Sequence, residues 1–429
     1  MAERARSIPI RIGIAWAGIG NGVYLASQYV MLMTIAKLGN PTLVGEFSLA
    51  MAIAAPLFLF SQMQLRQAQV TDAKDEFCFA DYFWCRTFST ALAMAGIGLV
   101  IVCSGYSGDM AWLIILIGLA KAFESVSDIA HGRLQRHERL DLVAVSLGVK
   151  GPVSAAVLAV TLWLTGSLLW AFATVTFVWG AVLFFFDMPL QARIHQTDAS
   201  LKGVRIIAIR RLVVTALPLA IAGGLASLSG NIPRYVLEVQ QGKEAVALFS
   251  VAAAPLTLLT LLLGAVSQAS LARVAEYFQK GEGGAFRRLA WKIAGLQLTV
   301  SVAFVVATVI WGEWLIAVMF TPEYRGAAPV LVIMSAGLAV GSMSAFAGIV
   351  LSASRAFRLQ LLNIVLVIIF QIPSAFLLIR GYGVNGAGWA ELGRYAWSSA
   401  CLAIMAYLLL SSRPNAVRGG MIEKGHSVC

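Results

Sequence analysis

The sequence predicts an all-α integral membrane protein with about twelve transmembrane helices in two lobes of six. Three observations support this prediction. The 429 residues are 59% hydrophobic and only 12% charged, whereas soluble domains carry roughly 25% charged residues. Apolar runs of about 20 residues, long enough to cross a bilayer, recur along the whole chain. A longer polar connection at 187–211 divides these runs into two halves.

The first apolar run predicts a retained transmembrane helix. It follows Arg4, Arg6 and Arg11 and continues to Ala36 without a small-residue cleavage site, so it is too long for the apolar region of a signal peptide. Eleven further runs follow it. The spans are expected at residues 10–36, 43–63, 82–103, 111–130, 140–162, 168–186, 212–230, 245–266, 289–311, 327–351, 359–379 and 384–410.

Positive charges predict the orientation of these spans. Most of the 32 Lys and Arg residues fall in alternate connections, such as the one that holds Arg133, Arg136 and Arg139. Because cytoplasmic loops carry the excess of Lys and Arg, both termini are expected in the cytoplasm. The same bias explains the net charge of +11 without a nucleic-acid partner.

The two halves are expected to form an N-terminal lobe at 1–200 with helices 1–6 and a C-terminal lobe at 201–412 with helices 7–12. Residues 413–429 are expected to form a cytoplasmic tail. The segment LVGEFSLAMAIAAPL in the second span is similar to AVALFSVAAAPL in the eighth, and each run leads to an arginine, Arg66 or Arg273. Since each half has an even number of spans, the repeat would be parallel, about an axis along the membrane normal.

The fourth span carries the most informative polar residues. Lys121, Glu124 and Asp128 are spaced i, i+3 and i+7, which places them on one face of a helix. Lys121 would lie ~15 Å along the helix, near the middle of the bilayer. A charge at that depth marks a substrate or ion pathway. In the alternative interpretation the span ends early, and both carboxylates lie in a cytoplasmic turn.

Further polar residues fall inside other spans. Asn21 and Gln28 lie on one face of the first span, Lys150 near the centre of the fifth, and Glu391 and Arg394 form an i, i+3 pair in the twelfth. We expect these side chains to line a hydrated cavity between the lobes. Contacts between neighbouring helices are the alternative role for such residues.

The charges of the fourth span need partners. Lys150 on the next span is the first candidate, because a paired charge tolerates burial. A carboxyl group without a partner would have a raised pKa through desolvation and could carry a proton. Glu124, Asp128 and Glu391 are therefore the candidates for proton coupling.

The sequence lacks the usual signatures of an enzyme. It has no phosphate-binding glycine loop, no GxSxG motif and no cluster with metal-ligand spacing. The five cysteines are scattered, and the four histidines fall in predicted loops or the tail. No connection is long enough for a soluble catalytic domain. We therefore expect a protein that is not an enzyme and that needs no cofactor or metal.

Four segments resemble a known family. They are LVGEFSLAMAIAAPLFLFSQMQLRQAQVTD, NIPRYVLEVQQGKEAVALFSV, FTPEYRGAAPVLVIM and GYGVNGAGWAEL, and they are similar to bacterial O-antigen and exopolysaccharide flippases of the multidrug/oligosaccharidyl-lipid/polysaccharide (MOP) superfamily. The resemblance implies two six-helix lobes around a cationic cavity. It also implies that the chain moves a polyprenyl-diphosphate-linked glycan to the outer leaflet of the bacterial inner membrane, for lipopolysaccharide or exopolysaccharide synthesis.

The resemblance also implies roles for particular residues. Arg66 and Arg273 match positions near the inner mouth of the cavity, where cations meet the diphosphate. Arg234 and Glu238 would form a gate near the outer mouth. With Lys121, Lys150, Arg394, Asn21 and Gln28, the two inner arginines complete the substrate-binding candidates.

Carboxylates offset the cavity cations, so the net charge of the cavity is not fixed. The resemblance does not say whether other polysaccharide assembly proteins act with the chain. A cation or drug antiporter of the same superfamily is the first alternative function, and a membrane-embedded glycan polymerase or acyltransferase is the second.

Overall fold

The computed structural model describes residues 10–72, 76–194, 205–280, 282–354 and 356–412. The predicted tail and residues 195–204 of the predicted mid-chain loop lie outside these ranges. The described residues are almost entirely helical, which confirms the predicted fold class. The helices are α1 (Ile10–Leu38), α2 (Pro41–Gln62), α3 (Leu65–Thr71), α4 (Phe79–Ser104), α5 (Gly108–Arg136), α6 (Leu140–Thr165), α7 (Leu168–Val182), α8 (Met188–Ile194), α9 (Ile206–Gln241), α10 (Lys243–Gln279), α11 (Gly283–Met319), α12 (Ala328–Met343), α13 (Ala345–Ala353) and α14 (Phe357–Ser412).

Ten helical segments within the described residues are long and apolar enough to cross a membrane. One of them, Phe357–Leu409, covers the eleventh predicted span and all but the last residue of the twelfth, and α1 is outside the ten. The predicted twelve spans therefore map onto α1 and these ten segments. Exposed apolar side chains such as Val102, Trp163, Phe177 and Phe185 give the helices a surface suited to lipid.

Short sequence signals set several helix ends. Asn40 caps α2 by accepting a hydrogen bond from the Leu43 backbone N–H, and Pro41 fits the first helical position because its missing N–H would have no partner there. Gly105 and Gly166 end α4 and α6 at positive φ, a conformation that costs glycine little. Gly383, at φ 59°, breaks α14 between the two predicted spans.

The chain divides into two compact units, Met1–Asn231 and Ile232–Cys429, within α9. The first part of α9 belongs to the first unit because Leu212, Ala216 and Ala220 pack in a cluster with Met63 and Leu65. The predicted lobe boundary at residue 200 stays a prediction.

The first unit is built around α5, which contacts α2, α3, α4, α6, α7 and α8. The helix continues past the predicted end of the fourth span, at Ala130, as far as Arg136. His131, predicted to lie in a loop, is therefore buried in a helix. In the second unit α12 packs between α10, α11 and α14.

Candidate functional site

One carboxylate on α5 joins three helices. Asp128 accepts a hydrogen bond from Arg66 Nη1 on α3 and another from Arg86 Nη2 on α4, each at 3.1 Å. Arg66 also donates from Nε to Gln135 Oε1 at 3.1 Å. Two guanidinium groups therefore share one carboxylate, so this cluster carries an excess positive charge.

A break in the backbone positions Arg66. Met63 and Gln64 separate α2 from α3 and have φ values of 47° and 49°, which are uncommon for residues other than glycine. The break starts a new helix at Leu65, and Arg66 in its first turn faces Asp128. Arg273, the residue matched to Arg66 by the sequence repeat, lies in the uninterrupted helix α10 and is exposed.

Arg86 is the most deeply buried cation of this cluster. Its side chain is only 1% exposed, whereas the side chain of Asp128 is 28% exposed. Nη2 of Arg86 bonds to Asp128, while Nε and Nη1 have no partner among the described residues. A buried guanidinium with unused donors is costly.

A second cluster lies one turn away on the same face of α5. Lys121 Nζ donates to Glu124 Oε2 at 2.8 Å, and the Tyr24 hydroxyl of α1 donates to the other carboxylate oxygen. Both charged side chains are about one quarter exposed. Glu124 is therefore held between a cation of its own helix and a phenol from α1.

Lys150 completes the second cluster. Its side chain is buried and donates to Ser127 Oγ at 3.3 Å, and its ammonium lies 5.3 Å from the centre of the Trp179 ring. Lys121 lies at the same distance from that ring, a range at which cation–π attraction operates. Lys150 also attracts Glu124 and Asp187 electrostatically. The direct ion pairs of the α5 carboxylates are formed by Lys121 and by the two arginines.

The two residues of α1 predicted to line the cavity, Asn21 and Gln28, have different environments. Asn21 is exposed and donates to the Ala17 carbonyl of its own helix at 2.8 Å. Gln28 is half-buried, and its Nε2 atom has no partner among the described residues. Tyr24 and Ser27, which lie between them along the helix, are buried. The structure therefore brings Tyr24, rather than Asn21, to the charged face of α5.

A buried polar group lies beyond Asp128 on α5. His131 Nε2 is 3.1 Å from Ser146 Oγ and 3.2 Å from Asp187 Oδ1, and the serine hydroxyl donates to the same carboxylate at 2.6 Å. Asp187 ends a short π-helical segment after α7. These contacts fix α5, α6 and the end of α7 to one another.

In the second unit the predicted pair in α14 is present. Arg394 donates to Glu391 Oε2 at 2.8 Å, and Gln371 Nε2 donates to the other carboxylate oxygen at 2.9 Å. Arg234 donates to Ser250 Oγ at 3.1 Å and lies over Phe249. Glu238 follows one turn later on α9. The gate assigned to Arg234 and Glu238 stays a prediction.

Comparisons with known proteins place this arrangement in a wider context. No protein-family model matches the chain. It is 24% identical over 375 residues, 86% of its own length and 92% of the relative, to the capsular polysaccharide biosynthesis protein CapF of Staphylococcus aureus. It superposes on a multidrug resistance MATE family transporter of the MOP superfamily, solved in an inward-facing conformation, with a TM-score of 0.75, 12% identity and coverage of 92% and 98% of the two chains.

A second solved structure supports the same fold. The Vibrio cholerae MATE transporter VcmN, solved as a point mutant, matches with a TM-score of 0.65 and 13% identity, over 95% of this chain and 98% of that one. The chain has the fold of the MOP superfamily transporters. It is a multi-pass membrane protein, as the sequence predicts.

Three site residues of this MOP-fold chain were not predicted from the sequence. Tyr24 falls on the same helix face as Asn21 and Gln28, so the spacing could have indicated it. Trp179 stands in the middle of an apolar run rather than at an interface, where tryptophans concentrate. Arg86 lies in the second turn of α4, near the predicted cytoplasmic end of the third span, where an arginine is expected from charge asymmetry alone.

The MOP-fold chain offers no arrangement typical of a metal site in the part described. No three side chains of His, Cys, Asp or Glu among those residues converge to hold an ion. The chemistry that its first unit offers is electrostatic, because four cations (Arg66, Arg86, Lys121 and Lys150) lie around three carboxylates (Glu124, Asp128 and Asp187).

Proposed function

We propose that the chain flips a polyprenyl-diphosphate-linked oligosaccharide from the cytoplasmic to the outer leaflet of the bacterial inner membrane, by alternating access and with both termini in the cytoplasm. The observation that carries this proposal is the set of four cations, from α3, α4, α5 and α6, that lie around the carboxylates of α5. Arg66 and Arg86 share Asp128, and Lys121 and Lys150 flank Glu124 and Trp179.

A diphosphate suits these clusters. It presents several oxygen acceptors, and guanidinium groups bind such oxygens through short, charge-assisted hydrogen bonds. The unused Nε and Nη1 donors of Arg86 match that requirement. Binding would replace part of the hydration of the headgroup, while the prenyl chain stays in lipid.

The relationship to CapF supports the same process. The name of that protein places it in capsular polysaccharide biosynthesis, and the similarity covers most of both chains. Export of a lipid-linked repeat unit is a step that surface polysaccharide synthesis needs and that a MOP-type transporter fold suits.

A deletion strain tests the proposal. Loss of the gene should cause lipid-linked repeat units to accumulate on the cytoplasmic leaflet and should abolish surface polysaccharide. The wild-type chain should restore export, and Arg86→Gln should restore less than one tenth of it, because the buried donors are reduced. Arg380→Gln, at an exposed position of α14, is the matched control and should restore export fully. Normal surface glycan in a strain without a second exporter contradicts the proposal.

A cation or drug antiporter is the second candidate. The partly exposed carboxylates of Glu124 and Asp128 favour it, as does the likeness to multidrug transporters. Binding of ethidium to the purified protein, abolished by Asp128→Asn, would support this function. Turnover of a glycan donor by the purified protein would instead support a polymerase or acyltransferase.

A further inference from the structure

A cavity of about 370 Å³ lies within the second unit. Its walls come from α10, α11, α13 and both parts of α14. Volumes of this size are typical of small-molecule sites. The polar side chains that line it are Ser267, Gln297, Ser352, Gln360 and Asn363.

The chemistry of this cavity differs from that of the α5 clusters. Its polar lining residues carry amides and hydroxyls, and none of the described lining residues is charged. The remaining wall is mostly aliphatic, with Ile293, Ile349 and Leu402 among its members. Such a lining disfavours an ion, because a charge would lose its hydration without gaining a counter-charge.

One lining residue, Asn363, has a buried hydrogen-bond acceptor without a donor in the described part of the chain. Asn363 is buried, with 8% of its surface exposed. Its Nδ2 atom donates to Ser398 Oγ at 3.1 Å, but its Oδ1 atom has no hydrogen-bond partner in the described part of the chain. A buried acceptor without a donor is costly, so the position calls for an incoming O–H or N–H group.

Two more amide–hydroxyl pairs lie around the same cavity. Gln297 Nε2 donates to Ser267 Oγ at 2.5 Å, and Gln360 Nε2 donates to Ser352 Oγ at 3.0 Å. An amide both donates and accepts, which is the pattern that the neighbouring hydroxyls of a sugar satisfy. The aliphatic wall suits the C–H faces of a sugar ring.

We infer that this cavity is a binding site for an uncharged sugar residue, whose hydroxyl donates to Asn363 Oδ1. The inference rests on the proposed function only in the choice of a sugar over other uncharged hydroxyl compounds. It assigns the binding of an uncharged sugar to the second unit.

Saturation-transfer NMR tests the inference on the full-length protein in lipid nanodiscs, with empty nanodiscs subtracted. Two uncharged probes of equal alkyl length are compared, octyl β-glucoside below its micelle concentration and octyl tetraethylene glycol. The glucoside should bind at least 10-fold more tightly, with transfer strongest at its ring protons. Equal binding of the two probes, or no binding of the glucoside, overturns the inference.

Substitutions of lining residues test whether the glucoside binds in this cavity. Asn363→Leu should weaken glucoside binding at least 10-fold, and Gln297→Leu gives a second test if the first variant does not fold. Asn231→Leu, at an asparagine that donates to the Ser227 carbonyl of its own helix, is the control and should bind as the wild type does. Unchanged binding in both lining variants overturns the inference.

A third probe separates this inference from the proposed function. Pyrophosphate binding, measured in the same nanodiscs, reports on the cations of the first unit and should fall in Arg86→Gln. If pyrophosphate binds and the glucoside does not, the sugar site fails while the proposed function stands. If the glucoside binds and pyrophosphate does not, the proposed diphosphate site fails.

Discussion

Asp128 is the residue on which the charge balance of the first cluster depends. It is the carboxylate that both Arg66 and Arg86 contact. Breaking a buried ion pair by removing one partner is more costly than replacing both partners, because the remaining charge stays buried and uncompensated. The tolerance of this position to substitution therefore depends on what happens to Arg86.

Asp128→Asn should lower the free energy of unfolding by about 3 kcal/mol. The substitution leaves the buried guanidinium of Arg86 without its counter-charge and brings it into repulsion with Arg66. Chemical unfolding in mixed micelles measures the change.

The double variant Arg86→Met/Asp128→Asn is the control for this prediction. It removes both charges and should recover most of the lost stability, since no guanidinium is then left buried without a counter-charge at residue 86. A double variant as unstable as Asp128→Asn would show that the ion pair is not the source of the loss.

At the scale of elements, the break between α2 and α3 decides where Arg66 points. Gln64 is exposed and adopts φ 49° without a side-chain cap, so its own side chain does not stabilise the left-handed conformation. Glycine adopts this conformation without steric cost, and a β-branched residue adopts it with the greatest difficulty.

Gln64→Gly should therefore keep or raise stability, whereas Gln64→Val should lower the free energy of unfolding by about 1 kcal/mol. The valine variant should also lose transport activity, because strain at the break moves Arg66 away from Asp128. Thermal unfolding followed by size-exclusion chromatography compares the two variants. Equal stability in both would mean that residue 64 relaxes out of the left-handed region.

The packing of α1 on α6 depends on a close approach at Gly20. A Cβ atom built there would lie 2.5 Å from the Ala144 Cα atom, whereas one built on Gly22 would meet nothing within 4 Å. Small residues allow such backbone contacts between membrane helices. Tyr24, which holds Glu124, follows Gly20 by one turn on the same helix.

Gly20→Ala should lower the free energy of unfolding by about 2 kcal/mol, because α1 must move away from α6 to admit the methyl group. Gly22→Ala is a matched control two residues away and should be neutral or slightly stabilising. The same unfolding measurement compares them. A loss of equal size in the control would trace the effect to helix propensity or lipid contact rather than to the approach of α6.

Much of this architecture was predictable from the sequence, because apolar length and helical spacing are local properties. The face shared by Lys121, Glu124 and Asp128 and the pair of Glu391 with Arg394 follow from i, i+3 and i+7 spacing alone. The contact of Arg86 with Asp128 joins residues 42 positions apart, and only the packing of α4 on α5 creates it. The break at Met63 and Gln64 had no glycine or proline to mark it.

The prediction that His131 lies in a loop was wrong for a related reason. Polar residues after Ala130 look like the end of a membrane span, but α5 continues because Ser146 and Asp187 provide partners for the histidine. Burial of a polar residue depends on partners from other elements, which periodicity in one segment does not reveal.

At the scale of the whole molecule, the orientation in the membrane is predicted from charge asymmetry and not from the positions of the helices. The excess of Lys and Arg in alternate connections predicts cytoplasmic termini. That orientation makes α4 run from the cytoplasm outwards, because it is the third predicted span. Two native cysteines mark its ends, since Cys78 precedes its first residue and Cys103 lies in its last turn, and both are exposed.

A membrane-impermeant maleimide applied to spheroplasts should therefore label Cys103 and spare Cys78 until the membrane is permeabilised. Each of two variants keeps one of these residues together with Cys85, which is buried, and has serine at the other cysteine positions. A third variant that keeps only Cys85 measures background labelling. Labelling of Cys78 in intact spheroplasts, with Cys103 protected, would invert the orientation and place Arg66 and Arg86 towards the outer face. In that case Arg66 and Arg86 could not be the first cations to meet a diphosphate that arrives from the cytoplasm.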